Sequence, residues 1–240
     1  MNTFKLFSDA QHGFGQGKST ETAAHEYIQF IQDKMDTKKY VAGILFDFSR
    51  AFDTVCSDFV QTKLFKIGIR DNILKIITSF LSNRRLTVRC NATASEQRNI
   101  EIGLAQGSVL DPTIFLLFIN DIQHHIKTAD LLLNYADDTS VVVTGDTLEE
   151  LDQKIVVVKK EMDEWCKRNR ILLNKDKTQC IYFYKNSVPK TNNETTHVKL
   201  LGVYIDQRLK WNEHCDHICG KLSSAYYALK SRTFTYIISL

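Results

Sequence analysis

Apolar residues recur at the three- and four-residue spacing of an amphipathic helix in several stretches of the chain. Ser19 precedes the first stretch as a candidate N-cap, Gly68 follows the second as a stop, and Thr147 with Glu150 has capping-box spacing. The pattern predicts six helices, the last over about 213–230. In chain order, their predicted inward positions are Ala23, Tyr27, Ile31 and Met35; Phe59, Val60, Leu64 and Ile67; Ile73, Leu74, Ile77 and Leu81; Ile114, Phe115, Phe118, Ile119 and Ile122; Leu151, Ile155, Val158, Met162 and Trp165; and Ile218, Leu222, Ala225 and Leu229.

Shorter apolar runs between these helices predict strands. The run 40–46 ends on Asp47, and the runs 131–136 and 140–144 flank Asp137-Asp138, which predicts a tight hairpin with two acids at its tip. Further strands are predicted for 86–90 paired with 100–102, for 180–184 and for 198–205. Strands and helices interleave without regular βαβ alternation, so the predicted fold class is α+β with antiparallel pairing.

Composition narrows the class of protein. The chain has 240 residues, of which 43% are hydrophobic and 25% charged, which excludes a disordered or collagen-like protein. Lys+Arg 31 against Asp+Glu 28 leaves a net charge of +3, so any polyanion site must be local. Six scattered cysteines, no signal peptide and no apolar run of ~20 residues predict an intracellular protein, in the nucleus or cytoplasm, without a membrane partner.

Three acids at the ends of predicted strands are the main candidates for chemistry. Burying Asp47, Asp137 or Asp138 is costly unless the carboxylate is paired or binds a cation. Three carboxylates from two adjacent strands suit a pair of Mg²⁺ ions of the kind that promotes phosphoryl transfer, which predicts a nucleotidyltransferase. The alternative is that the Asp-Asp pair is only a polar hairpin turn.

The segments around these acids resemble the ordered blocks of a known family. Residues 135–138, Tyr-Ala-Asp-Asp, resemble the YADD box of reverse transcriptases, and residues 46–53 resemble their first catalytic block. The matching blocks also include 11–20; 103–108 with Pro112 and Asn120-Asp121; 173–178; and 199–205. Together they cover about 11–230 and resemble the reverse transcriptases of non-LTR (LINE-like) retrotransposons.

The resemblance implies the right-hand palm of a polymerase, an antiparallel sheet packed on helices, with partial fingers and the start of a thumb. Residues 1–240 would form one N-terminally truncated reverse transcriptase domain. Within it, about 1–40 and 57–104 would be fingers-like, 41–56 and 105–205 palm, and 206–240 the palm–thumb junction.

The implied activity is RNA-directed DNA synthesis by two-metal nucleotidyl transfer. Asp47, Asp137 and Asp138 would be the catalytic and metal-binding acids, joined by the backbone carbonyl of Phe48. The cofactor would be two Mg²⁺ ions, with Mn²⁺ as a substitute. The partners would be an RNA template, a DNA primer, dNTPs and the rest of a retrotransposon polyprotein, including its endonuclease.

The same blocks imply residues that contact substrates. Phe52 would crowd the sugar C2′ and favour dNTPs, although a ring that only fills the core is the alternative. The family's triphosphate-binding arginine is replaced by Gly15, and Lys18 is a candidate to compensate. The remaining nucleotide-binding candidates are Gln106, Gly107 and Lys177, the last as a proton donor or a solvated surface residue.

Two further pairs would contact nucleic acid. Arg84 and Arg85 form a local basic pair suited to a phosphate backbone, and Leu201-Gly202 resembles the hairpin that grips the primer end. Two functional alternatives stay open at this point. One is an inactive retrotransposon-derived fragment that binds nucleic acid without catalysis, and the other is an RNA-dependent RNA polymerase.

Overall fold

The computed structural model describes residues 7–15, 17–105, 107–185 and 195–238, with side chains up to Lys230. The helices are α1 (Thr20–Asp36), α2 (Ala51–Thr54), α3 (Ser57–Lys66), α4 (Asp71–Leu81), α5 (Asp111–Ile119), α6 (Ile122–His125), α7 (Leu148–Asn169) and α8 (Asn212–Ile238). The strands are β1 (Tyr40–Ser49), β2 (Arg84–Leu86), β3 (Arg89–Cys90), β4 (Thr93–Ala94), β5 (Arg98–Ile100), β6 (Leu131–Tyr135), β7 (Asp138–Gly145), β8 (Leu172–Phe183), β9 (His197–Leu200) and β10 (Val203–Asp206). These elements and their antiparallel pairings confirm the predicted α+β class.

A four-stranded sheet in the order β6-β7-β1-β8 forms the centre of the molecule. Strand β1 pairs with β7 on one side, with Phe46 opposite Thr139, and with β8 on the other, with Val41 opposite Phe183. The pairing of β1 with β8 shifts register between Leu45 and Asp47. Because β1 is interior, both of its edges are hydrogen-bonded and both of its faces can be covered.

Two hydrophobic cores lie on opposite faces of this sheet. Successive side chains of a strand point to opposite faces, so Ala42, Ile44 and Phe46 of β1 enter one core, and Val41 enters the other. The first core contains buried side chains of α3, α5 and α7, and the second contains those of α1 and of the β9–β10 hairpin. The sheet is therefore the middle of three layers.

Most predicted helix faces are confirmed. All predicted inward positions of α1 and α7 are buried, and the Ser19 side chain caps α1 by accepting from the Thr22 backbone N–H. The Thr147 side chain caps α7 by accepting from the Glu150 N–H. The Glu150 carboxylate accepts from the N–H of Asp146 and not from that of Thr147, so only half of the predicted capping box forms. The inward position of Ile73 is wrong: the residue is 62% exposed, because α4 buries only Leu81 fully. The inward face predicted for the last helix is also wrong: Ile218, Leu222, Ala225 and Leu229 of α8 are all exposed, because neither core of the described residues includes a side chain of this helix.

Three strand predictions need correction. Strand β1 does not end at Phe46 but continues through Asp47 to Ser49. The predicted strand 198–205 is a hairpin, because Leu201 and Gly202 both have positive φ, 48° and 93°, and reverse the chain between β9 and β10. The third correction concerns pairing: β2 pairs with β5, and β3 with β4, in place of 86–90 with 100–102.

Membrane insertion has no helical candidate in the described ranges. No helix there combines the length and the apolar character needed to cross a bilayer.

Gly43 is where α1 comes closest to the sheet. A Cβ at this position would lie 2.1 Å from the Tyr27 hydroxyl oxygen and 3.1 Å from the Phe183 ring. Tyr27 is completely buried, and its hydroxyl has no hydrogen-bond partner among the described residues. Burial raises the pKa of this hydroxyl, which therefore stays neutral. The missing Cβ of Gly43 thus makes room for an unpaired hydroxyl.

We expect Gly43→Ala to lower the free energy of unfolding by roughly 1–3 kcal/mol, because the added methyl overpacks the second core. Tyr27→Phe should be neutral or stabilising by up to ~1 kcal/mol, because it removes an unpaired buried hydroxyl. In the Tyr27→Phe background the cost of Gly43→Ala should fall by at least about half, as measured by urea unfolding of the four proteins in a double-mutant cycle.

Gly220→Ala is the matched control, because a Cβ at Gly220 in α8 meets nothing within 4 Å. It should be neutral or stabilise the chain by up to ~1 kcal/mol. Additive effects of Gly43→Ala and Tyr27→Phe would contradict the proposed contact.

Candidate active site

Asp47 and Asp138 lie side by side at one end of the central sheet. Phe46 and Thr139 are paired and buried. Asp47 follows Phe46 and Asp138 precedes Thr139, so both acids face the opposite side of the sheet. Both acids line a cleft of about 380 Å³. The lining of this cleft is Leu45, Phe46, Asp47, Asp138, Asp176, Lys177, Gln179 and Lys199. The alternation of two strands thus brings together carboxylates that are far apart in sequence.

Asp137 occupies the turn that joins β6 to β7. Tyr135 pairs with Asp138, which leaves Ala136 and Asp137 as the two residues of the loop. The tip predicted at Asp137-Asp138 is therefore displaced by one residue, and Asp138 begins β7. Ala136 has a φ of 54°, in the left-handed region that residues other than glycine seldom adopt. The turn thus places one acid in the loop and the next in the sheet.

The three carboxylates influence one another electrostatically. Partial burial of the Asp138 carboxyl raises its pKa, and the charges of Asp137 and then Asp47 raise it further. Lys177 Nζ lies 4.0 Å from Asp47 Oδ2 and offsets part of this negative charge. Among the described residues, no three acid, histidine or cysteine side chains converge closely enough to enclose a metal ion. The donor set itself, carboxylate oxygens that repel one another, suits a hard divalent cation.

The segment before α1 is attached to the outer edge of β6. The His12 N–H donates to the Asn134 carbonyl at 2.7 Å, and the Asn134 N–H donates to the Ala10 carbonyl at 2.8 Å. The Gln11 side-chain oxygen accepts from the Gly13 N–H at 2.8 Å and the Ala136 N–H at 3.2 Å. The sequence places Gln11 in the first matching block, but it had no predicted role, because only the fold brings it to the turn at Ala136 and Asp137.

Phe48 and Phe52 follow Asp47 but differ in surroundings. Phe48 is only 6% exposed, and its ring centroid lies 6.0 Å from that of Trp165. Phe52 is half-buried and stacks on Phe115, with ring centroids 4.3 Å apart. The Phe52 ring therefore packs on the first core and also reaches the surface.

The predicted nucleotide-binding residues are not all brought together. Lys177 lies in the cleft, whereas the Lys18 ammonium donates to the Asp9 carbonyl and is not among the residues that line the cleft. Gly107 has a φ of 97°, a conformation that favours glycine. Gln106 lies outside the described residues.

Arg84 and Arg85, predicted as a pair, are in different environments. The Arg84 guanidinium is half-buried and donates to the backbone carbonyls of Leu81 and Ile102 at 3.2 Å each, and also to that of Gly103. Arg85 is exposed, and its guanidinium makes a 3.4 Å contact with the side chain of Gln97. Arg84 is thus committed to joining backbone segments, and Arg85 faces solvent.

The β9–β10 hairpin adjoins the turn between β6 and β7. Leu200 and Leu201 line a narrow crevice together with Tyr135 and Asp138. Lys199, between the buried Val198 and Leu200, is exposed and lines the acidic cleft. Lys199 had no predicted role in the sequence. The apolar residues on each side of it in β9 are the signal that predicts an exposed cation at this position.

Comparisons with known proteins agree with this arrangement. The chain is 28% identical over 230 residues to the probable RNA-directed DNA polymerase from transposon BS of Drosophila melanogaster. This alignment covers 89% of this chain and 25% of that protein. It is 24% identical over 228 residues to the RNA-directed DNA polymerase from mobile element jockey of the same species. This alignment also covers 89% of this chain and 25% of that protein. The chain thus spans about a quarter of the length of these relatives.

Similarity to solved structures extends to the fold. The telomerase of Candida tropicalis, truncated from its C-terminal domain, superposes with a TM-score of 0.63 at 15% identity, over 84% of this chain and 40% of that one. This likeness confirms the predicted polymerase right-hand architecture. A family model described as reverse transcriptase (RNA-dependent DNA polymerase) matches residues 1–205. The chain therefore belongs to the reverse transcriptase family, and the predicted reverse transcriptase domain of a LINE-like element is confirmed.

Proposed function

We propose that this chain is the polymerase domain of a LINE-like element, which extends a DNA primer with dNTPs on an RNA template. The observation that carries the proposal is the placement of Asp47 and Asp138 in one cleft, with Asp137 in the adjoining turn. The names of the Drosophila relatives, RNA-directed DNA polymerases, support the same activity.

Asp47, Asp137 and Asp138, with the backbone carbonyl of Phe48, would hold two Mg²⁺ ions, for which Mn²⁺ could substitute. The residues fit such ions by their chemistry, because the carboxylates repel one another and raise the pKa of Asp138. When bound, the ions would activate the primer 3′-hydroxyl and neutralise charge that develops on the leaving pyrophosphate.

The lysines of the cleft would receive the triphosphate. Lys177, 4.0 Å from Asp47, would donate a proton to the leaving pyrophosphate, and Lys199 would supply a second positive charge. The half-buried Phe52 ring, supported from behind by Phe115, would crowd the sugar C2′. Lys18, Gln106 and Gly107 stay predictions as further nucleotide contacts.

Two exposed parts of the chain would contact nucleic acid. Arg85 is the exposed member of its pair and would contact a phosphate backbone, and Leu201-Gly202 would contact the primer end beside the catalytic turn. The division into fingers-like, palm and thumb-junction segments, the nuclear or cytoplasmic location, and an endonuclease elsewhere in the polyprotein stay predictions.

We expect Asp137→Asn to reduce Mg²⁺-dependent dTTP incorporation on poly(rA)/oligo(dT) by at least about a hundredfold, because it removes a charge that the metal ions need. Asp33→Asn, on the surface of α1, is the matched control and should leave incorporation unchanged. The melting temperature of both variants should stay close to that of the wild type.

Wild-type protein that binds the primer–template but incorporates no dNTP would favour the alternative, an inactive fragment. Equal incorporation by the wild type and Asp137→Asn would refute the assignment of the acids.

Phe52→Val should raise the ratio of rNTP to dNTP incorporation by at least about tenfold, because a smaller side chain leaves room for the ribose 2′-hydroxyl. Phe65→Val, at an exposed ring on α3, is the matched control. The ratio is measured by single-nucleotide extension with UTP and dTTP. An unchanged ratio would show that the Phe52 ring only fills the core.

Arg85→Gln should weaken RNA binding and lower its dependence on salt by about one counterion, with little change in stability. Arg84→Gln should instead lower the free energy of unfolding by roughly 1–3 kcal/mol, because its partner carbonyls lose their donor. Fluorescence anisotropy across a salt series, together with urea unfolding, separates the two effects. Equal loss of binding without loss of stability in both variants would contradict this division of roles.

A further inference from the structure

The Gln11 side chain connects two segments that are far apart in sequence. It is 5% exposed, and its amide oxygen accepts one hydrogen bond from the Gly13 N–H and one from the Ala136 N–H. On either side of it, Ala10 and His12 exchange backbone hydrogen bonds with Asn134 on β6. Gln11 is therefore held in place by its own backbone while its side chain reaches the catalytic turn.

The turn that Gln11 contacts needs such support. Ala136 is in the left-handed region, where its Cβ is strained, and it immediately precedes Asp137. A buried N–H without a partner would add a desolvation cost to this strain. The Gln11 oxygen supplies the partner, which favours the conformation that presents Asp137 and begins β7 at Asp138.

Gly13 brings the two segments into close contact. A Cβ at Gly13 would lie 2.5 Å from the Ala136 backbone nitrogen and 3.1 Å from the Gln11 amide oxygen. Only a residue without a side chain lets the segment approach the turn so closely. The upstream segment is in turn attached to α1, because the His12 ring lies 3.3 Å from the Glu26 carboxylate and 3.4 Å from the Thr22 hydroxyl.

We propose that Gln11 is a positioning residue for the polymerase reaction: its amide oxygen holds the Ala136 N–H and thereby sets the position of Asp137 and Asp138. The proposal rests on the proposed function. The hydrogen bond that the Gln11 oxygen makes to the turn goes to a backbone N–H, so Gln11 acts through the backbone that carries the acids. Its loss should therefore lower the rate of the chemical step and leave the binding of the primer–template unchanged.

The first test measures the contact itself by amide hydrogen exchange in the full 240-residue chain. Gln11→Met keeps the length of the side chain but removes the acceptor, and it should speed exchange at Ala136 by about tenfold. Gln11→Glu keeps an acceptor oxygen and should restore slow exchange. Gly13→Ala, which pushes the segment away from the turn, should behave like Gln11→Met.

Gln207→Met is the matched control. The Gln207 side chain also makes two hydrogen bonds, accepting from the Tyr184 hydroxyl at 2.9 Å and donating to the Thr195 carbonyl at 3.0 Å. It does not contact the turn, so its substitution should leave exchange at Ala136 as in the wild type.

The second test measures dTTP incorporation on poly(rA)/oligo(dT). Gln11→Met should lower kcat by about ten- to hundredfold, because small displacements of reacting groups cost this much, with KM and primer–template affinity within about twofold. Gln11→Glu should recover most of kcat, and Gln207→Met should leave kcat unchanged.

Each outcome separates the positioning role from other roles. Unchanged exchange at Ala136 in Gln11→Met would overturn the proposal, and so would faster exchange across the whole chain, which indicates general destabilisation. Faster local exchange with unchanged kcat would also overturn it. If the wild type incorporates no nucleotide, the proposed function fails, whereas the exchange measurement still decides whether Gln11 holds the turn.

Discussion

The structure depends on one strand, β1, which is hydrogen-bonded on both edges and covered on both faces. Ala42, Ile44, Phe46 and Phe48 enter the core formed with α3, α5 and α7, whereas Val41 and Leu45 face the core formed with α1 and the β9–β10 hairpin. The same two-residue alternation that separates the two cores turns Asp47 away from the first core and into the cleft. A shift of β1 by one residue would turn this carboxylate into the first core and move the strand's buried side chains to the opposite face. Packing and the geometry of the acidic cleft therefore depend on a single register.

The turn between β6 and β7, which carries Asp137, is stabilised from several sides because its conformation is costly by itself. Ala136 adopts a left-handed conformation, and the acids that follow repel each other. The segment at Gln11 covers the open edge of β6, and the β9–β10 hairpin lies against Tyr135 and Asp138. These contacts come from segments that precede and follow the turn by many residues. They explain why a strained loop can hold its charged residues in place.

The roles of the basic side chains also depend on their local surroundings. A net charge of +3 gives no indication of a polyanion partner, yet Lys177 and Lys199 line the acidic cleft. Arg85 is exposed on β2, which pairs with β5. Neighbouring cations have different roles when their surroundings differ. The Arg84 guanidinium donates its hydrogen bonds to backbone carbonyls, whereas Arg85 remains exposed. Only the position of each side chain in the fold separates these roles.

Local patterns in the sequence were sufficient to predict the faces of α1 and α7, the antiparallel class and the three acids. These properties depend on the spacing of residues within one element, which the sequence contains directly. The continuation of β1 past Asp47 and the exposure of Ile73 could not be predicted, because each depends on what packs against the element. The apolar run 198–205 by itself predicted one strand, and only the family resemblance indicated the hairpin at Leu201-Gly202. The roles proposed for Gln11 and Lys199 likewise depend on contacts across many residues. By itself, the sequence determined which side chains are candidates for the chemistry; the tertiary structure decided which of them meet, because strand register and long-range packing set those distances.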